Sequence, residues 1–235
     1  MYVKRLIKLL SRDEIVRANE FYFGVDRDNF VVRRAFLRII IGRYVQVGPS
    51  ELRFDYGKHG KPSLVRAVTD GRRLEFNLSH SGKLALYAFT CERQIGIDLE
   101  QFDPEFPNEE IARRVFSPSE VASLGSLPAV AQEGAFFNGW VRKEAFVKAK
   151  GDGLSIDLDR FDVTLGLEEP VLFRVGWDEE EAKRWTIKPI EVGGNYVAAV
   201  AVEGHDWQLH CWNAGLLEDL AGGRRSATEG MTTLW

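Results

Sequence analysis

Residues 74–100 constrain the fold most, because apolar and polar residues alternate along this stretch in short runs separated by small turns. An alternation of period two places the apolar side chains of a strand on one face of a sheet and the polar side chains on the other. Gly82 marks one of the turns between the runs. We therefore predict adjacent strands here, which form the β core of the first half of the chain.

Two helices are predicted before this core. Ser11 followed by Glu14 is typical of a capping box, so a helix that carries Arg17 should begin there. A second helix is predicted from about Asp28, because apolar residues recur near helical spacing and arginines interrupt them. The second helix is therefore expected to be amphipathic and strongly basic.

A loop with proline and acidic residues, Asp103 to Pro107, is predicted to separate two halves of the chain. Beyond it, Ser117 and Glu120 carry a helix-capping signature, and a longer helix should continue until Gly151. Alternating runs then predict a strand meander, in which GNYVAAVAV loosely repeats GKLALYAFT of the first half. The fold class is therefore α/β (α+β). The predicted domains are an N-terminal half at residues 1–102, a C-terminal half at 103–221 and a flexible tail at 222–235.

Charge and cysteine content exclude several classes of function. The chain carries 31 Lys and Arg against 35 Asp and Glu, a formal net charge of -4, so no overall basic field exists to hold nucleic acid. Lys8 breaks the apolar start of the chain, and no uncharged apolar run approaches the ~20 residues that span a bilayer. Cys91 and Cys211 lack the spacing of a zinc or disulfide site. We therefore expect a cytoplasmic protein that binds neither nucleic acid nor a membrane.

Asp98 and Glu100, in the sequence GIDLE, are the first candidates for chemistry. Two residues that stand two apart on a strand project from the same face, so these carboxylates repel each other unless a cation lies between them. A hard divalent cation with oxygen ligands, above all Mg²⁺, is the natural occupant. The alternative is a solvated strand end without a ligand, and this pair alone does not exclude it.

Trp140, Glu144 and Lys148 form the second candidate, because positions i, i+4 and i+8 of a helix share one face. Glu144 could complete a metal site that Asp98 and Glu100 begin, and three acids with Mg²⁺ suit phosphoryl transfer. The alternative is an ordinary surface pair of Glu and Lys, worth only ~0.2–0.5 kcal/mol.

The sequence FNLSHSG is the third candidate, a polar turn between two strand-like runs that could present amides, hydroxyls and an imidazole to a phosphate. A plain β-turn is the alternative. His80 suits a phosphate better than a metal, since Mg²⁺ prefers carboxylates. Two interpretations are open for the remaining basic candidates: they are cations exposed to solvent, or they bind a phosphate. They are Arg17, Arg33, Arg34, Arg38 and Lys61.

In this order and at these separations, FNLSHSG, GIDLE and WVRKEAFVKAKG together resemble the motifs of the phosphopantetheinyl transferase superfamily, in its monomeric, surfactin-synthetase-activator-like (Sfp-type) branch. GKP at 60–62 and FSPSE at 116–120 extend the resemblance, which covers the chain from about Arg17 to the strands near Val200. The resemblance implies two similar α/β halves related by a pseudo-twofold axis. It also implies that coenzyme A and Mg²⁺ bind in the cleft between the halves.

The implied reaction transfers 4'-phosphopantetheine from coenzyme A to a serine of an apo acyl- or peptidyl-carrier protein and releases 3',5'-ADP. The metal ligands carry over to Asp98, Glu100 and Glu144, with Glu144 or a metal-bound water as the base. Lys148 would stabilise the charged transition state. Phe30 departs from the pattern, since some members place a small hydroxyl residue there. The residues assigned to coenzyme A are Arg17, Arg38, Lys61, Ser79, His80 and Lys143.

Two rival functions remain open at this point. A non-catalytic homologue would bind coenzyme A or a carrier protein tightly without turnover, and a Mg²⁺-dependent phosphohydrolase of unrelated fold would release ADP without a carrier. The carrier protein is expected to meet an aliphatic surface between Ile111 and Phe137. A monomer is expected, since two pseudo-repeated halves can supply a dimer-like cleft within one chain.

Overall fold

The computed structural model describes most of the chain, at residues 2–65, 68–69, 71–102, 109–151, 153, 156–166 and 172–213. The predicted loop from Asp103 to Pro107 and the predicted tail at 222–235 lie outside the described residues. The division into halves at residue 102 and the pseudo-twofold relation between them therefore stay predictions.

The described elements mix helices and strands, which confirms the predicted fold class. The helices are α1 (Val3–Leu6), α2 (Arg12–Asn19), α3 (Gly24–Val45), α4 (Glu109–Val115), α5 (Pro118–Ser126) and α6 (Ala129–Lys150). The strands are β1 (Phe54–Tyr56), β2 (Pro62–Leu64), β3 (Val68–Thr69), β4 (Arg72–Ser81), β5 (Leu84–Cys91), β6 (Ile95–Gln101), β7 (Phe161–Val163), β8 (Leu172–Val175), β9 (Trp185–Pro189) and β10 (Tyr196–Glu203). None of the described helices is long and apolar enough to cross a membrane.

The chain divides into two compact units by its internal contacts. As far as the structure describes them, unit one takes the residues up to Asp55, Leu64–Leu74 and those from Gln208 onward, and unit two takes Tyr56–Ser63 and Glu75–Trp207. The carboxylates of the three predicted metal ligands all belong to unit two, whereas the predicted cofactor residues Arg17 and Arg38 belong to unit one.

Unit one is built around the helices α1, α2 and α3. The capping box is confirmed, since the backbone N–H of Ser11 donates to Glu14 Oε2 at 3.0 Å and α2 begins at the next residue. The predicted basic helix is α3, which begins at Gly24 rather than near Asp28. Apolar residues of the three helices and their connections form the core of this unit. They include Leu6, Leu10, Ala18, Val31, Ala35 and Ile39.

A buried cluster of charges adds to this core. Glu14 receives Arg34 Nε on Oε1 at 2.7 Å and Arg38 Nε on Oε2 at 2.6 Å. Arg38 Nη1 also donates to the carbonyls of Pro49 and Leu52, at 2.8 and 3.2 Å. One carboxylate therefore holds two arginines of α3 inside the unit, and the expected solvated basic face is in part a buried ionic network.

Unit two contains the antiparallel sheet β6-β10-β9, against which α6 packs. The register places Ala199 opposite Asp98 and Val197 opposite Glu100. The long helix α6 ends as predicted, because Gly151 adopts the left-handed conformation with φ of 77°. Aromatic residues of α6 and of the strands form much of the core, among them Phe136, Phe146, Phe161 and Trp185.

Gly96 sets how closely α6 approaches β6. A Cβ atom built at this position would lie 2.1 Å from the carbonyl oxygen of Ala145 and 2.2 Å from the backbone nitrogen of Ala149. Backbone atoms of a packed helix cannot turn aside as a side chain can, so only glycine permits this contact. The sequence GIDLE therefore carries a packing requirement in addition to its two carboxylates.

We expect Gly96→Ala to lower the free energy of unfolding by about 1–3 kcal/mol, the usual cost of an overpacked core. Gly134→Ala is the matched control on α6, because no atom of the described chain lies within 4 Å of a Cβ at that position. That substitution should raise stability by up to about 1 kcal/mol, since alanine favours the helix. Urea denaturation of both variants measures the two values, and equal stabilities would contradict the packing argument.

Candidate active site

Strand β4 carries the polar residues that the sequence predicted in a turn. The structure extends β4 through Ser81, so Asn77, Ser79 and Ser81 lie on a strand, and the turn that follows contains Gly82 with φ of 54°. The predicted polar turn is therefore wrong in its secondary structure. Asn77 and Ser79 are buried, whereas His80, which points to the opposite face of β4, is exposed.

Alternate residues of β4 hydrogen-bond to β6. Asn77 Oδ1 accepts from the backbone N–H of Ile97 at 2.9 Å, and Ser79 Oγ donates to Asp98 Oδ1 at 2.9 Å. Ser81 Oγ accepts from the backbone N–H of Gln101 at 3.1 Å and donates to Glu100 Oε2 at 2.9 Å. The small polar residues of β4 therefore fix the orientation of both carboxylates of GIDLE.

The stripe on α6 meets the same carboxylates. Lys148 Nζ donates to Asp98 Oδ1 at 2.5 Å and to Ser79 Oγ at 3.1 Å. The side chain of Trp140 lies near enough to Glu100 to oppose the rise in the pKa of its carboxyl group. Glu144 lies close enough to Asp98 and Glu100 for their charges to act on it. Helical spacing along α6 and strand spacing along β6 thus bring the three acids and one lysine together within unit two.

The pKa values of all three acids lie above their ordinary range. Burial is the main cause for Asp98, and it outweighs the opposing charge of Lys148. Burial also raises the pKa of Glu100 and of Glu144, and the negative charge of Asp98 raises both further. At both glutamates the charge of Asp98 therefore adds to the effect of burial, while Lys148 lowers the pKa of all three acids.

The donor set fits a hard divalent cation. Asp98 Oδ2 is buried, and within the described residues no donor hydrogen-bonds to it. All the nearby acidic ligands offer oxygen, which Mg²⁺ prefers. Among the described residues, however, no three His, Cys, Asp or Glu side chains are grouped closely enough to enclose a metal ion as they stand. The donor atoms therefore suit the ion chemically, but the three side chains would have to move closer together to bind it.

Lys61, a predicted cofactor residue, bridges the two elements that carry the acids. Its Nζ donates to the carbonyl of Ile95 at the start of β6 and to that of Ala149 near the end of α6, each at 3.0 Å. Burial lowers the pKa of Lys61, and the charge of Glu75 opposes that shift. The lysine of GKP thus has a structural partner on each side of the site, and its contact with coenzyme A stays a prediction.

Lys61→Met is expected to lower the free energy of unfolding by about 1–3 kcal/mol, because two partly buried carbonyls lose their donor. Lys58→Met, at an exposed position of the same loop, should change it by less than about 0.5 kcal/mol. Urea denaturation gives the two values, and hydrogen exchange should be faster at the end of α6 in Lys61→Met alone. Unchanged stability with a raised KM for coenzyme A would instead identify Lys61 as a phosphate ligand only.

Lys143, also predicted to contact phosphate, is fully buried, with 0% of its side chain exposed. Its Nζ lies 2.7 Å from Glu120 Oε2 and donates to the carbonyls of Leu158 and Phe161, at 2.7 and 2.5 Å. The same carboxylate of Glu120 caps α5 by accepting from Ser117 N. A phosphate could reach Lys143 only if this cluster opened, so the structure gives Lys143 a structural role and the phosphate contact stays a prediction that its burial does not favour.

The remaining predicted cofactor residues lie in unit one. Arg17 is exposed, and its guanidinium lies 5.7 Å from the centroid of the Phe30 ring. The ring of Phe30 thus lies within cation–π distance of Arg17. Arg38 is 1% exposed and bonded to Glu14, which gives it a structural role, and a contact with coenzyme A would require the buried network to open.

Comparison with known proteins places the chain in a family. A family model described as the 4'-phosphopantetheinyl transferase superfamily matches residues 94–201, and a model described as 4'-phosphopantetheinyl transferase, N-terminal, matches residues 2–92. The two matches together include Asp98, Glu100 and Glu144 as well as the segment FNLSHSG.

Individual relatives agree with the family models. The 4'-phosphopantetheinyl transferase HetI of a Nostoc species is 41% identical over 208 residues, which cover 88% of this chain and 84% of that protein. The 4'-phosphopantetheinyl transferase Sfp of Bacillus subtilis is 31% identical over 204 residues, 87% of each chain. A crystal structure of Thermotoga maritima holo-acyl-carrier-protein synthase matches with a TM-score of 0.39 and 22% identity, over 50% of this chain and 67% of that chain. The chain therefore belongs to the 4'-phosphopantetheinyl transferase superfamily, in its Sfp-type branch.

Proposed function

We propose that this enzyme transfers the 4'-phosphopantetheine group of coenzyme A to a serine hydroxyl of an apo acyl- or peptidyl-carrier protein and releases 3',5'-ADP. The observation that carries the proposal is the meeting of Asp98, Glu100, Glu144 and Lys148 in one site of a chain from this family. Relatives that are named as transferases do not favour the non-catalytic alternative.

We infer that Asp98, Glu100 and Glu144 hold Mg²⁺ in the working enzyme. The buried Oδ2 of Asp98, to which no donor among the described residues hydrogen-bonds, supports the inference. So does the charge balance of the site, in which three carboxylates share one lysine. When bound, the ion would offset negative charge on the diphosphate of coenzyme A and on the leaving group.

The side chains of the site have distinct tasks in the proposed reaction. Glu144, whose pKa is raised by burial and by Asp98, would accept the proton of the carrier serine, either directly or through a water molecule. Lys148 is partly exposed and can donate to the phosphoryl oxygens as their charge increases. Ser79 and Ser81 hold Asp98 and Glu100 in orientation.

The contacts with coenzyme A are proposed for two exposed residues first. His80 is on the solvent-facing side of β4, and Arg17 is at the surface of unit one, so both are accessible to a ligand as they stand. Arg can bind a phosphate through two parallel hydrogen bonds, which suits the ribose phosphate. Ser79 is a less direct candidate, because its hydroxyl already serves Asp98 and Lys148.

The proposal extends to the setting in which the enzyme works. We infer a cytoplasmic monomer that acts on a carrier protein and binds neither nucleic acid nor a membrane. The net charge of -4 supports the expectation about nucleic acid. Size-exclusion chromatography with light scattering checks the monomer.

The direct test is intact-mass analysis of several apo-carrier proteins after incubation with the enzyme, coenzyme A and Mg²⁺. We expect each accepted carrier to gain the mass of one phosphopantetheine group, and we expect a chelator to abolish the gain. Binding of coenzyme A without a mass gain on any carrier would indicate a non-catalytic binding protein. Release of 3',5'-ADP in the absence of a carrier would indicate a hydrolase.

A further inference from the structure

The ammonium group of Lys148 lies beside the carboxylates of Asp98, Glu100 and Glu144, which we call the acid cluster. Its Nζ is 2.5 Å from Asp98 Oδ1, and its charge acts on Glu100 and Glu144 as well. The Asp98 side chain is 4% exposed, whereas that of Lys148 is 31% exposed. The side chain of Lys148 therefore contacts both the buried carboxylate and the solvent. Its ammonium group can move away from Asp98 into solvent without disturbing the packing of the core.

Lys148 and a divalent cation at Asp98 would repel each other, since both carry positive charge beside the same carboxylate. One oxygen of this carboxylate accepts from Lys148 and Ser79, and the other has no donor among the described residues. A cation on the free oxygen would stand a few ångströms from the ammonium group, in a site where burial weakens the screening of charge. The repulsion between the two positive groups would then have to be relieved by movement of the flexible one, which is Lys148.

We propose that Lys148 holds the place of the divalent cation at Asp98 until the ion binds, and that binding of the ion releases Lys148 from Asp98. The inference rests on the proposed function, because it concerns the metal ligands of that site. The released ammonium group carries three N–H donors on a flexible chain, and the phosphates of bound coenzyme A are acceptors for them. The same lysine thus offsets part of the negative charge of the three acids before the ion binds, and it can donate to the substrate phosphates afterwards.

The test is the affinity for Mn²⁺, measured without coenzyme A from the electron paramagnetic resonance signal of the free ion. Lys148→Met should bind Mn²⁺ at least about fivefold more tightly than the natural chain, the lower end of usual coupling between two ligands. Lys148→Arg keeps the positive charge and should bind Mn²⁺ like the natural chain. Mg²⁺ should displace Mn²⁺ in each protein.

Lys150→Met is the matched control, since Lys150 also lies on α6 and pairs with a carboxylate, Glu181, at 2.8 Å, but outside the acid cluster. This variant should bind Mn²⁺ like the natural chain. If loss of the Lys148 charge destabilises the metal-free protein, saturating Mn²⁺ should raise the melting temperature of Lys148→Met by more than it raises that of the natural chain.

The outcomes separate this inference from the proposed function. Equal or weaker Mn²⁺ binding by Lys148→Met, in a protein whose natural form binds the ion and loses it on Asp98→Asn, would overturn the competition and leave the metal site intact. Absence of Mn²⁺ binding by both the natural chain and Lys148→Met would overturn the metal site and the competition together.

Discussion

Asp98→Asn is expected to lower the rate of phosphopantetheine transfer by at least about 10²–10³-fold, because a charge that acts in the transition state is removed from a buried position. The amide keeps the size of the carboxyl group and can still accept from Ser79, so the loss isolates the charge. Glu144→Gln should reduce the rate to a similar extent, since it removes the proposed base. A time course of carrier mass at saturating coenzyme A measures both variants.

The control for this loss is another buried aspartate of unit two. Asp162 is 2% exposed and pairs with Arg174, and it lies on β7, outside the site. Asp162→Asn should lower stability while the folded enzyme keeps its transfer rate within about tenfold, because no reacting atom touches this residue. A folded Asp98→Asn enzyme that retains the natural rate would contradict the assignment of the site.

Glu14→Gln is expected to lower the free energy of unfolding of unit one by about 3–5 kcal/mol, the usual cost of breaking a buried ion pair from one side. Arg34 and Arg38 would then face a neutral amide in an environment from which water is excluded. Glutamine serves a capping box as well as glutamate does, so loss of the cap alone predicts almost no change. Urea denaturation, with hydrogen exchange to locate the loss in α2 and α3, distinguishes the two roles.

Asp13→Asn provides the comparison, because Asp13 is exposed in the same first turn of α2. Its charge interacts favourably with the start of the helix, which is worth about 0.3–1 kcal/mol at the surface. A loss in Glu14→Gln as small as this would show that Glu14 acts as a cap and that the buried network contributes little.

Local patterns predicted much of the fold. Caps at Ser11 and Ser117, the stop at Gly151 and the alternation of the strands depend on residues within a few positions of one another, so the sequence contains the whole signal. The stripe of Trp140, Glu144 and Lys148 follows in the same way from the period of a helix. Local order therefore predicted each of the two elements, whereas the preference of Mg²⁺ for carboxylates and the family resemblance joined the acids of α6 with those of β6.

The errors arose where the partner of a residue is distant in sequence. Asn, Ser and Gly in FNLSHSG are typical of a turn, but β4 pairs with β3 and β5, which keeps this segment extended. The side-chain partner of Asn77 is Ile97 of β6, twenty residues away. Burial is also hidden from the sequence: the resemblance assigned Arg38 and Lys143 to coenzyme A, and the structure buries both beside a carboxylate. Their contacts with coenzyme A stay predictions. Two arginines four residues apart on α3, together with an acid that caps the preceding helix, were the available signal for the network around Glu14.

Among the described residues, β6 pairs with another strand along one edge only, which has a consequence for contacts between molecules. One edge of this strand pairs with β10, and on the other edge side chains occupy backbone groups: Lys61 binds the carbonyl of Ile95, Asn77 binds the amide of Ile97, and Ser81 binds that of Gln101. An open strand edge is a template on which a second chain can add a strand and begin to aggregate. We therefore expect the side chains that bond to this edge to hinder the addition of a second chain to β6 as well.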